Sequence, residues 1–128
     1  MLLLTEDQTR DALPYPDLID ALAKMFRSGS EMPTRHHHDM EIPGEPDATV
    51  LLMPAWVPGG YAGVKVVNVV PGNSERNLPA ISAQYLLSDA RTGEMLALID
   101  GGELTARRTA AASALAASYL ARSDARHL

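Results

Sequence analysis

The sequence predicts an α/β (α+β) domain: a mainly antiparallel or mixed sheet with flanking helices. Three observations carry that reading. A helical periodicity follows a short apolar run at the N-terminus. Apolar, β-branched stretches joined by short connections fill the middle. An Ala-rich segment of helical composition closes the chain. Short connections give antiparallel neighbours, because a parallel return needs a crossover of a dozen residues or more. With 128 residues, the chain is read as a single domain over 1–128.

Taken in order, Leu2–Leu4 reads as a short first strand, ended by Thr5-Glu6-Asp7. From Pro16 to about Ser28, Leu18, Ile19, Leu22, Met25 and Phe26 fall on one helical face. Asp17 and Asp20 suit its first turn, Lys24 and Arg27 its last, and Gly29 supplies a stop. Residues 32–38 are expected to be extended around Pro33, and Pro43–Asp47 to be a loop. Strands are expected at Thr49–Met53, Gly63–Val70 and Ile81–Leu87. Asp89–Gly93 turns the chain into a fourth, Glu94–Ile99. A long helix runs from about 101 to 122, with Asp100 and Glu103 spaced as a capping box.

Composition excludes several classes. Hydrophobic residues make up 46% and charged residues 21%, the balance of a soluble globular chain. Acidic residues outnumber basic ones 16 to 11, for a net charge of −5, which argues against a nucleic-acid surface. No apolar run is long enough to span a bilayer, and the N-terminus lacks the features of a signal peptide. Cysteine is absent, which excludes disulfides, thiolate metal sites and a Cys nucleophile, and the cytoplasm is the expected compartment. No Gly-x-Ser-x-Gly, Walker loop or Gly-x-Gly-x-x-Gly occurs.

Three cations stand in unusual places. With Leu104 at 0° on the last helix, Leu115 falls at roughly 20°, Tyr119 at 60° and Ala111 at −20°. Arg108 falls at roughly 40°, inside that apolar stripe, and Arg107 at about −60°, on its rim. Either Arg108 meets an anion near the helix N-terminus, or it snorkels past small neighbours or pairs with a structural carboxylate. Lys65 alternates onto the face of Val67 and Val69. It either guards an edge strand or is a partly buried ammonium that holds a carboxylate or exchanges protons. Arg35 lies in an extended stretch beside three histidines, where by itself it reads as an ordinary solvated arginine. Only His36 and His38 could converge on one ion, and no Cys or carboxylate spacing completes a metal site.

The blocks Met53-Pro54-Ala55-Trp56, Gly63-Val64-Lys65-Val66-Val67, Pro71-Gly72-Asn73, Leu78-Pro79-Ala80 and the run Asp100–Ala116, with its Leu-Thr-Ala-Arg-Arg-Thr-Ala-Ala core, resemble the ornithine cyclodeaminase/mu-crystallin family. The resemblance covers about residues 2–125. It implies the N-terminal substrate-binding and dimerisation portion of a two-domain protein, whose long last helix would lead into a dinucleotide-binding (Rossmann) domain lacking here. It also implies NAD or NADP as cofactor. Arg35 and Lys65 match the family residues that hold the substrate carboxylate, with Lys65 also beside the reacting carbon as the catalytic candidate. Arg108 matches the family Arg at the substrate and cofactor edge. Ala80 aligns with a position that contacts nicotinamide through a Thr in some members, and Ser82 could supply the missing hydroxyl.

The implied chemistry is hydride transfer at an amino or imino carbon: conversion of ornithine to proline with loss of ammonia, or reduction of a cyclic ketimine such as pyrroline-2-carboxylate. Ornithine would need a polar or acidic group for its distal amine, and Glu41 and Glu45 are candidates. The chain alone is expected to be inactive, to bind a small amino or imino acid carboxylate, and to form a homodimer. The alternative is a stand-alone dimeric module that binds a small carboxylate without catalysis.

Overall fold

The computed structural model describes residues 1–126. Its elements are β1 (Leu2–Leu4), α1 (Glu6–Ala12), α2 (Tyr15–Ser28), β2 (His36–Met40), β3 (Ala48–Trp56), β4 (Tyr61–Val69), a 3-10 helix (Pro71–Arg76), β5 (Ile81–Asp89), β6 (Met95–Asp100) and α3 (Gly101–Leu120). The strands form one mixed sheet in the order β1-β6-β5-β4-β3-β2. Among the described residues, only β1 pairs in parallel, with β6; the other neighbours are antiparallel, as their short connections require.

Local chemistry sets the element ends. Thr5 and Gln8 form a reciprocal capping box that starts α1, a helix the periodicity did not predict. Pro16 sits in the first turn of α2, where its missing N–H costs no hydrogen bond. The α3 start departs from expectation. The Asp100 side chain accepts from the Glu103 N–H at 2.7 Å, but the Glu103 carboxylate turns away to Arg10 and Arg107. Strand β3 runs three residues past its expected end, through Pro54 to Trp56. Pro54 is tolerated because β2 pairs only as far as Leu52, and the Glu31–Trp56 bridge closes the same side beyond it.

The register separates two faces. Met53, Lys65, Tyr85, Ile99 and Leu4 form one cross-strand row. That face carries α3, shown by the Lys65–Thr105 hydrogen bond and by Gly101 lying against Ala83. A Cβ at Gly101 would stand 2.6 Å from the Ala83 carbonyl carbon, so the helix can begin this close to the sheet only with glycine there. The opposite face presents Leu52, Val64, Val66, Leu86 and Leu98, all half-buried.

The fully buried apolar residues are small: Ala48, Val67, Ala97 and Ala111. The accessible surface is 9170 Å², against about 6600 Å² for a compact monomer of this mass. Large side chains such as Phe26, Tyr119 and Leu120 stand largely exposed. Large apolar side chains are therefore left at the surface of the chain.

Candidate functional site

Lys65 is held in the middle of the sheet. β4 lies between β3 and β5, so the edge-guard reading of Lys65 does not hold. Its Nζ donates to Thr105 Oγ1 at 2.8 Å, and Thr105 Oγ1 donates in turn to the Gly101 carbonyl at 2.5 Å. The hydroxyl can accept from the ammonium because its own proton goes back to the preceding helical turn. Of the three ammonium donors, one is used in this way.

Arg35 precedes β2, and Arg108 lies on α3 one turn beyond Thr105. Both line the same cleft of about 550 Å³ as Lys65, with Thr34, Met53, Tyr85 and Leu104. The Lys65 pKa is lowered, first by burial and then by the like charges of Arg108 and Arg35. Among the described residues, none of the three cations forms an ion pair. Like charges gathered in one cleft attract an anion, and fork-shaped guanidinium donors match the geometry of a carboxylate.

Arg108 corrects one expectation. The helical wheel places it on a buried stripe, yet its side chain is exposed. It points toward the sheet side of α3, but the cleft there is open, so the guanidinium meets solvent. Tyr119, placed on the same stripe, is exposed as well. The arginine that is tucked in is Arg107, with 13% of its side chain accessible. Its Nε donates to the Leu13 carbonyl at 2.8 Å, its guanidinium lies 4.1 Å from the Tyr15 ring centroid, and Glu103 is 3.6 Å away. Arg107 ties α3 to the α1–α2 connection, whereas Arg108 faces the cleft.

Ala80 and Ser82 stand apart. Ala80 is exposed before β5, and its carbonyl accepts from the Val70 N–H at 2.7 Å. Ser82 pairs with Asn68 on the sheet face opposite Lys65, so it shares no site with the three cations. Glu45 is bound to Arg76, and neither Glu41 nor Glu45 lines the cation cleft. The His36 and His38 rings meet edge to face at 6.1 Å. Among the described residues, no group of three metal-binding side chains occurs.

The sequence reading missed Thr105 and Tyr85 as site residues. Thr105 is visible as the hydroxyl one turn before Arg108. Tyr85 becomes visible only with the register, which sets it directly across from Lys65. Burial raises its hydroxyl pKa, and its ring lies over Gly63, where a Cβ would stand 2.0 Å from the Tyr85 oxygen.

Known proteins of similar sequence and fold place the chain in a family. The Δ1-pyrroline-2-carboxylate reductase of Paracoccus denitrificans is 36% identical over 91% of this chain and 35% of its own length. Among solved structures, an archaeal alanine dehydrogenase dimer with bound NAD matches with a TM-score of 0.79 at 33% identity, over 97% of this chain and 38% of that one. The Thermococcus litoralis Δ1-pyrroline-2-carboxylate reductase in complex with NADH and L-proline matches with a TM-score of 0.78 at 31% identity, over 98% and 40%. The chain thus spans about two fifths of the length of the relatives it matches. The ornithine cyclodeaminase/mu-crystallin family model matches residues 1–128, and the chain belongs to that family.

Proposed function

We propose that this chain forms the carboxylate-binding part of an NAD(P)-dependent enzyme acting on small amino or imino acids, a ketimine reductase or a cyclodeaminase. The observation that supports it most is the unpaired cluster of Arg35, Lys65 and Arg108 in one cleft. Lys65 is the catalytic candidate: its ammonium, held by Thr105, places a proton beside the bound carboxylate and the carbon next to it. Arg35 and Arg108 orient the carboxylate from the other sides. Relatives crystallised with NAD or NADH support a nicotinamide cofactor. Among the described residues, however, there is no strand, glycine loop and helix arranged to cradle a pyrophosphate. The chain alone is proposed to bind carboxylate without turnover.

The half-buried face of Leu52, Val64, Val66, Leu86 and Leu98 supports a homodimer, in line with the dimeric alanine dehydrogenase and with the surplus accessible surface. Among the described residues, no helix is long and apolar enough to cross a membrane. The cytoplasm remains the compartment this reading implies.

Calorimetric titration with L-proline, alongside absorbance assays with NADH and pyrroline-2-carboxylate, tests the reading. Saturable L-proline binding that is lost in Arg35→Gln, with no NADH consumption, is the expected result. Binding that persists unchanged in Arg35→Gln and in Lys65→Met would place the carboxylate elsewhere.

A further inference from the structure

Beside the cation cleft lies a second cavity of about 790 Å³, and the two share Met32, Tyr85 and Arg108. Its walls include Leu22, Met25, Trp56, Tyr61 and Leu87. In a chain with only six aromatic residues, it is notable that Phe26, Trp56, Tyr61 and Tyr85 all line this one space. Among the described residues, no carboxylate lines either cavity. Glu45, a candidate for a distal amine, is engaged by Arg76.

We propose that this cavity receives the substrate's side chain, and that the site selects 2-imino or 2-amino acids with an uncharged apolar side chain of several carbons over diamino acids. The proposal rests on the carboxylate-anchor reading above. A carboxylate held by Arg108, Lys65 and Arg35 fixes one end of the ligand, and the shared wall leaves the other end facing Trp56, Tyr61 and Met25. An apolar side chain gains by leaving water there. The distal ammonium of ornithine would be desolvated, with no carboxylate to meet it and three cations nearby. Tyr85, whose ring lies against Gly63, lines both spaces and so stands where they meet. The cavity's volume falls within the range of small-molecule sites, and its apolar lining with a few convergent polar groups is typical of them.

Calorimetric titration of the whole chain with pyruvate, 4-methyl-2-oxopentanoate and L-ornithine tests the proposal. The 2-oxo acids share the carboxylate and differ in side chain. The expected result is that 4-methyl-2-oxopentanoate binds about tenfold or more tightly than pyruvate, with ornithine weakest. If pyruvate binds but the branched acid is no tighter, the anchor stands and the side-chain proposal falls. If no carboxylate binds to a chain that circular dichroism shows to be folded, the anchor falls and the proposal with it. Met25→Glu gives a check in the opposite direction, at an exposed helical position that tolerates glutamate. It should move the ratio of ornithine to 4-methyl-2-oxopentanoate affinity by about fivefold or more toward ornithine. An unmoved ratio would overturn the assignment of this cavity.

Discussion

Replacing Lys65 with methionine separates what the ammonium does for the fold from what it does for a ligand. In the free chain, Lys65→Met gives up one hydrogen bond, the 2.8 Å donation to Thr105. Such a bond to a charged donor contributes about 1.5–3 kcal/mol when buried and less in an open cleft. Thr105 is not orphaned, because its donation to the Gly101 carbonyl remains. Against that loss stand the removal of a partly desolvated charge and of its repulsion by Arg108 and Arg35. The opposing effects nearly cancel, so stability should change by no more than about 1 kcal/mol in either direction. Ligand binding has no such compensation. An ammonium and a carboxylate about 4 Å apart attract by about 4 kcal/mol at an effective dielectric constant near 20. Solvent in the open cleft reduces this by about half, leaving roughly 2 kcal/mol, or about thirtyfold in affinity. Chemical denaturation and titration with pyruvate read the two quantities on the same samples. Pyruvate affinity within twofold of the parent would refute the assigned role of Lys65. A large loss of stability would show that the lysine is structural.

Other perturbations should divide in the same way. Arg107→Ala removes the bond to the Leu13 carbonyl and the stacking on Tyr15, and should cost about 2–4 kcal/mol in denaturant unfolding while leaving pyruvate affinity intact. Arg108→Ala should do the reverse, because its exposed side chain bonds to no other residue described here. Gly101→Ala drives a methyl into the Ala83 backbone and should lower stability by about 3 kcal/mol or more, seen as an earlier denaturation midpoint. The folded-state pKa of Lys65 lies below its ordinary 10.5, so the unfolded chain binds more protons in the interval between the two. Stability of the free chain should therefore rise with pH through that interval, while carboxylate affinity falls as Lys65 loses its proton. Asp89 accepts from the Arg91 and Thr92 N–H groups, which lowers its pKa below 3.8. Asp89→Ala should lower the melting temperature near neutral pH, and the difference should vanish as the parent is acidified through that lowered pKa.

Much of this was legible in the sequence because local pattern and tertiary context agree there. The β4 and β5 stretches read as strands from their β-branched and aromatic residues, and the Asp89–Gly93 turn from its Asp and Gly. Arg108 and Lys65 stood out because each falls among the apolar residues of its helix or strand, whereas Arg35 gained weight only through the family resemblance. What was not legible depends on contacts distant in sequence. Helix α1 has no apolar stripe and is held by Arg10 reaching Glu103, a contact far away in sequence, so periodicity passed over it. The helical wheel assigned Arg108 a direction correctly but could not tell that the cleft beneath it is open. Tyr85 needed the strand register, and the apolar cavity needed α2 to be set against the β3–β4 hairpin. A wheel or an alternation fixes which way a side chain points, whereas what it meets is decided by the packing of other elements.

The most direct test of the central claim is a crystal structure of the chain grown with saturating pyruvate. The expected density is a carboxylate within hydrogen-bonding distance of Lys65 Nζ and at least one of the Arg35 and Arg108 guanidinium groups, with the pyruvate methyl group facing Tyr85 and the apolar cavity. Ligand density at another place, or a cleft in which the three cations instead pair with carboxylates of the chain itself, would contradict it.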